Sequence, residues 1–291
     1  MKEEFIERNF SASTLSTIQK ANEIIEEYQS QGYKLTLRQL YYQFVSRDLI
    51  PNKTQEYKRL GSIVNDGRLA GLIDWDAIED RTRNLQSLSH WRNAKDLARQ
   101  ALNQFRIDKW FNQETRVEVW IEKEALSGVF ERICNELDVP FLCCRGYLSQ
   151  SEMYSAAQRI KHYKQAGQDF TILHFGDHDP SGIDMTRDMR ERLTTFGCYS
   201  LNFDRLALNI EQVLEYEPPP NPAKETDSRF DSYLRKFGQK SWELDALEPA
   251  VLSGLVEKAV EEIRDPEKWA DAAALEESQR RQLRDLIKKL K

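Results

Sequence analysis

Cysteine is scarce in this chain of 291 residues, and its four copies, Cys134, Cys143, Cys144 and Cys198, show no CxxC or Cys/His metal spacing. Adjacent Cys143 and Cys144 make an awkward disulfide framework, so all four read as reduced thiols, mostly buried. Long apolar runs are missing too, since none approaches the roughly 20 residues that span a bilayer. The opening MKEEFIER lacks the apolar core of a signal peptide, and a cytoplasmic protein without membrane association is expected. No P-loop or other nucleotide motif occurs, nor any internal repeat or low-complexity tract. Positive charge is in deficit, with 42 Lys and Arg against 48 Asp and Glu and a net charge of −6. That balance argues against a protein that coats nucleic acid non-specifically, because such binding depends on neutralising phosphates.

What is present is enough to build a sizeable core: 40% of the residues are hydrophobic and 31% charged, and the length favours two domains with an appendage. The charge is uneven. From Lys34 to Arg68 the basic residues Lys34, Arg38, Arg47, Lys53, Lys58, Arg59 and Arg68 outnumber Asp48, Glu56 and Asp66, so a local basic face can grip DNA while the rest of the chain repels it. Residues 13–30 have apolar positions at helical spacing after a Ser/Thr cap and run out at Gly32. Thr36 is expected to cap a second helix, 37–49, that stops before Pro51, and Thr54 a third, 55–71, followed by the β-prone stretch 72–80. Three short helices and a wing are the order of a winged helix-turn-helix, CAP-like, whose third helix enters a groove. Lys58, Arg59 and Arg68 on that helix are the candidate phosphate contacts. The same periodicity also fits a small helical domain with solvated charges.

These patterns divide the chain into a DNA-binding domain at 1–84, a linking amphipathic helix or helix pair at 85–113, an α/β domain at 114–216 and a helical C-terminal extension at 217–291. In the third part the period alternates: 116–122 reads as a strand, 123–138 as a helix, 140–146 as a strand, 151–167 as a helix, 170–179 as a strand, with a further helix from Ser181. Strands alternating with helices imply a parallel sheet with its chemistry at the carboxyl ends of the strands. Glu122, Asp177 and Asp179 fall at such ends.

If the strand persists to Asp179, the carboxylates of Asp177 and Asp179 point the same way and need a cation between them. Hard oxygen ligands suit Mg²⁺, with Mn²⁺ as a substitute, and Glu122 supplies a third carboxylate or a general acid/base. Read alone, the DxD is a weak metal signal and more often an ordinary helix cap. Glu124 lies within reach of the same ion, although an acid in a first helical turn is already explained by the dipole. His178, between the two aspartates, is expected to point the opposite way. Trp242, Glu243, Leu244 and Asp245 form a motif with no chemistry assignable from its pattern, and core packing is the expectation.

The order of these elements carries a resemblance. VWIEKEA and FGDHDPSG resemble the two acidic motifs of the Toprim domain, RGYLS is similar to the glycine-tyrosine segment between them in the topoisomerase VI A-subunit branch, and Leu37-Arg38-Gln39-Leu40-Tyr41-Tyr42 resembles that branch's arginine-acidic-aliphatic-Tyr-Tyr motif. The branch includes the meiotic double-strand-break transesterase and compact phage and bacterial relatives. The motifs span roughly residues 30–190, with Gln39 standing where the branch usually has an acid. The resemblance implies a winged helix followed by a Toprim domain, and Mg²⁺-dependent double-strand cleavage by tyrosine transesterification, of the type IIB topoisomerase kind. It assigns Tyr42 as nucleophile, Glu122, Asp177 and Asp179 as metal ligands, and a 5′-phosphotyrosyl intermediate. It further implies a homodimer in which one protomer's tyrosine works with the other's metal site, bound to duplex DNA in the nucleoid. A separate ATPase subunit is needed if strand passage follows. Arg38, one helical turn before Tyr42, is the candidate to activate the phenol and stabilise the phosphorane. The alternatives are a hydrolytic Toprim nuclease using metal-activated water and a non-catalytic DNA-binding protein.

Overall fold

The structure, a computed structural model, describes residues 2–78, 88 and 90–290. Its N-terminal part is three helices around an apolar centre. Helix α1 (Ala12–Ser30) is capped by Ser11, whose hydroxyl accepts the Thr14 N–H, two residues ahead of the expected start. Helix α2 (Leu37–Ser46) opens with the expected Thr36 cap, in a capping box completed by Gln39. The amide oxygen of Gln39 accepts the Thr36 N–H at 2.9 Å, so glutamine does here what an acid at the third helical position would do. Helix α3 (Thr54–Leu69) takes Thr54 into its first turn and leaves Lys53 at the cap with no side-chain bond. Ile18, Ile24 and Tyr28 of α1, Leu40 and Phe44 of α2 and Leu60 and Val64 of α3 close the core between them.

The expected wing is absent from the described part of its stretch. Residues 72–77 make turns and bends, Ile78 forms a lone bridge with Leu35, and 79–80 lie outside the described residues. Asp74 and Asp76 explain the preference locally, since the Asp74 carboxylate accepts the Asp76 N–H at 2.8 Å and holds a turn. Among the described residues the expected linker is helical over α4 (Ala94–Gln104), which packs against the chain's last helix. Its expected beginning, at 85–87 and 89, also falls outside the described residues.

The remainder is an α/β unit with a four-stranded parallel sheet and a helical C-terminal segment. Strand β1 (Thr115–Ile121) leads through a short 3₁₀ turn at Glu124–Leu126 into α5 (Ser127–Glu136). Strand β2 (Phe141–Cys143), α6 (Gln150–Gln165), β3 (Asp169–Phe175), α7 (Pro180–Thr195) and β4 (Asn202–Ala207) follow. Alternation along β1 divides the core by the pleat. Val117, Val119 and Ile121 join α5 on one face, whereas Trp120 meets α6 and α7 on the other. Beyond β4 come α8 (Ile210–Tyr216), a two-residue pairing of β5 (Asn221–Pro222) with β6 (Lys240–Ser241), and α9 (Phe230–Phe237) between them. A 3₁₀ turn at Leu244–Ala246 precedes α10 (Pro249–Ile263), which covers the α5 face, and α11 (Pro266–Lys289). No helix among the described residues is long and apolar enough to cross a membrane. The four cysteines are free, three buried and Cys143 half-buried.

Sheet order locates the crevice. The strands run β2-β1-β3-β4, so the connection leaving β1 goes to one side and the connection leaving β3 to the other. The chain reverses between β1 and β3, and in open α/β sheets the space beyond the carboxyl ends at such a reversal is where ligands bind. Ile121 pairs with Phe175 at that end. Glu122 and Asp177 are the acids that emerge there.

Candidate active site at the carboxyl edge of the sheet

Strand β3 stops at Phe175, and this overturns the expectation that Asp177 and Asp179 point the same way. Between them His178 makes an antiparallel bridge with Trp242, donating its N–H to the Trp242 carbonyl and accepting the Trp242 N–H in return. Asp177 turns into the protein, its Oδ1 accepting the Leu244 N–H at 2.8 Å and its Oδ2 lying 3.0 Å from Lys123 Nζ. Asp179 turns outward and caps α7, accepting the Gly182 N–H at 2.6 Å. The cap and the candidate ligand are thus one residue. His178 does point away, into a nest of Tyr233, Phe237 and Trp242, with Nδ1 2.7 Å from the Tyr233 hydroxyl. Burial holds its imidazole down to about 4, so it is neutral at ordinary pH.

Glu122 continues β1 by donating its N–H to the Phe175 carbonyl, and its Oε2 accepts the Asp177 N–H at 2.8 Å. Burial raises its carboxyl, and the neighbouring charge of Asp179 raises it further against the pull of Lys123 and Arg205. Two glycines make this approach feasible. A Cβ on Gly182 would overlap the Asp177 carbonyl, and one on Gly176 would lie 3.0 Å from Glu122 Oε2. Arg205, in the unanticipated strand β4, threads beneath them. Its guanidinium donates to the carbonyls of Gly176, Asp177, Gly182 and Leu208 and to the Thr186 hydroxyl at 2.5–3.2 Å. It pins the loop between β3 and α7 through backbone carbonyls and makes no hydrogen bond to the carboxylates of Glu122, Asp177 or Asp179. Burial lowers Arg205 to about 10, against the opposing charges of Glu122, Asp177 and Asp179.

The second half of the edge is built from residues far apart in sequence, up to 207 positions. Lys123 Nζ lies 2.6 Å from Glu243 and 3.0 Å from Asp245, in addition to Asp177. Arg38, on α2, pairs with Glu243 and places its Nε 2.8 Å from Asp245. The side chain of Asp245 is completely buried between the two cations. Burial disfavours the charged forms of Lys123 and Arg38, but the carboxylates overcome it and hold both firmly protonated. Burial also pushes Glu243 upward, and Lys123 and Arg38 reverse the effect to leave it well below the usual carboxylate range. The Trp242–Asp245 motif is therefore more than core packing. It is the joint between α2 and the sheet.

Tyr42 sits beside that joint. The Arg38 guanidinium is 5.7 Å from its ring centroid, and the residue is 4% exposed within the N-terminal core. Burial raises its phenol, Asp245 and Glu243 add to the rise, and Arg38 and Lys123 only partly oppose it. Tyr41 instead hydrogen-bonds Asn52 Oδ1 at 3.0 Å.

The basic candidates on α3 separate. Lys58 and Arg59 are exposed, with Arg59 paired to Glu56 at 3.1 Å. Arg68 turns inward, donating to the carbonyls of Trp75 and Ile78 with its guanidinium over the Trp75 ring, so it holds the segment after α3 and is not on the exposed face. Glu124 is paired with Arg145 at the rim.

The donor set fits a divalent ion in part. Glu122 and Asp179 are half-buried and mutually repelling, and neither has an ion-pair partner among the described residues. One or two carboxylates, completed by waters and phosphate oxygens, are what Mg²⁺ commonly takes from a protein. Asp177, with both oxygens engaged, does not converge with them, and no group of three or more His, Cys, Asp or Glu among the described residues is arranged to hold an ion. The pattern of the sequence does not single out Lys123, Glu243, Asp245 or Arg205. A lysine between Glu122 and Glu124 and two acids in an unexplained motif are the only signals it offers. Comparison with protein-family models, curated proteins and solved structures returns no match.

Proposed function

We propose that this chain cleaves the phosphodiester backbone of duplex DNA by Mg²⁺-dependent transesterification, with Tyr42 as nucleophile. The observation that carries the reading is the joint: the helix bearing Arg38 and Tyr42 is ion-paired to the segment that receives Asp177, at the switch point of the sheet. Glu122 and Asp179 are the residues that would hold the ion. When bound there, it would supply positive charge to the scissile phosphate and the departing 3′ oxygen. Arg38, whose side chain is 43% exposed despite its two carboxylate partners, presents the guanidinium that offsets charge on the phosphate. The Tyr42 oxygen forms a bond to phosphorus as the 3′ oxygen leaves, and the phenolic proton is given up in the same exchange, leaving a 5′-phosphotyrosyl link and a 3′-hydroxyl. A phenol buried and raised above its ordinary range is a poor nucleophile, so DNA must open the α2 face before attack. The resemblance of the acidic and Tyr-Tyr motifs supports this reading, as does the exposed Lys58 and Arg59 face. A homodimer cutting both strands belongs to the same proposal. With supercoiled DNA and Mg²⁺, wild type is expected to yield a denaturant-resistant protein–DNA adduct that Tyr42→Phe and Glu122→Gln lack. Absence of any Tyr42-dependent adduct would sink it.

The burial of Tyr42 favours a second reading, a hydrolytic nuclease in which water replaces the phenol. It expects cleavage to survive Tyr42→Phe and to disappear in Glu122→Gln.

A further inference from the structure

We propose that Lys123 is a built-in counter-ion filling the second cation position of this site, so that the chain takes one divalent ion, at Glu122 and Asp179, and not a pair. The inference rests on the metal reading above. The chain bends at Glu122, just past the end of β1 at Ile121, and the side chains of Glu122 and Lys123 part there. Glu122 accordingly faces the Asp177 N–H and Asp179, while Lys123 projects into the space bounded by Asp177, Glu243 and Asp245. An ammonium has three donors and no acceptor, and here three carboxylates surround it at 2.6–3.0 Å. That is the environment a second hard cation would require. Three carboxylates this close cannot all stay ionised without positive charge among them.

Two of the remaining oxygens are also engaged. Asp177 Oδ1 accepts the Leu244 N–H, and Asp245 Oδ2 takes Arg38 Nε. Against this, Glu122 and Asp179 carry no ion pair among the described residues. The acidic edge thus contains one position filled from within and one left for a soluble ion. The lysine is fixed by the fold, so a single-ion site would keep its charge on one side whether or not substrate is bound.

The test is the number of Mn²⁺ ions bound by the full chain at neutral pH, read by electron paramagnetic resonance and equilibrium dialysis. Wild type is expected to bind one ion, Glu122→Gln none at the same concentrations, Lys123→Met two, and Lys123→Arg one. The Lys123→Met variant should also melt lower than wild type in EDTA and regain its melting temperature with Mn²⁺. Two ions on wild type, or a folded Lys123→Met that stays at one, overturns the inference while leaving the metal reading standing. No ion on wild type overturns the metal reading and the inference with it. If Lys123→Met does not fold, Asp177→Asn decides: one ion still bound, with affinity changed by less than about tenfold, supports the inference, and loss of that ion overturns it.

Discussion

The two halves of the acidic edge use carboxylates in opposite ways. Around Lys123 and Arg38, Glu243 and Asp245 are neutralised by cations of the same chain, and the result joins α2 to the sheet, while Asp177, 3.0 Å from Lys123, has its carboxyl raised by burial to about 8 against that cation's pull. Around Glu122 and Asp179 the charges face each other, held in place by backbone contacts and by Arg205 below the loop. Buried charge that is paired serves structure, whereas charge kept close and unpaired is retained at some cost in stability. That second condition is the usual mark of a functional site.

The contrast can be broken most directly at Asp245. Asp245→Ala leaves Lys123 and Arg38 without a shared buried partner, and it is expected to cost about 3–5 kcal/mol in urea unfolding. Glu122→Gln, in the other half, is expected to cost less than about 1 kcal/mol, because the amide oxygen can still accept the Asp177 N–H and removing one of two repelling charges offsets the weaker bond. Equal losses would erase the distinction. Next in size, Gly182→Ala forces the Asp177 carbonyl away from α7 and should destabilise by about 1–3 kcal/mol, with Mn²⁺ affinity falling alongside. Unchanged affinity would separate the glycine from the open half.

An effect confined to acid pH comes from beneath the loop. His174 is fully buried, and burial, followed by the charge of Arg205, lowers its imidazole to about 3. The unfolded chain then binds a proton that the folded chain refuses, so stability is complete above about pH 6.5 and falls as pH drops toward 3. The slope due to this residue is about 1.4 kcal/mol per pH unit, and His174→Gln should remove it from a plot of stability against pH. A slope that survives the substitution must belong to other groups. The smallest effects belong to the α3 face: Arg59→Glu should weaken DNA binding and reduce its salt slope by about one, with Lys58→Glu similar. Arg68→Gln should act on the melting temperature and not on the salt slope, because its guanidinium is already bonded to Trp75 and Ile78.

Much of the architecture is written locally. The alternation of β1, α5, β2, α6, β3 and α7 is legible because period and caps act over a few residues, and the same reasoning puts Glu122 and Asp177 at strand ends. Strand β4 escapes notice because NFDRLA interrupts its apolar pattern with Asp204 and Arg205, the latter buried only because backbone carbonyls surround it. The separate directions of Asp177 and Asp179 depend on where β3 ends, which the Trp242 bridge decides from sixty-odd positions away. Lys123 meets Glu243 across 120 positions and Arg38 meets it across 205. Charge pairing at such separations is set by sheet order and burial, so no local pattern specifies it. The sequence by itself determined that Glu122, Asp177 and Asp179 stand at the carboxyl edge. Only the tertiary structure decided which of them are neutralised by the chain and which are left to face a ligand.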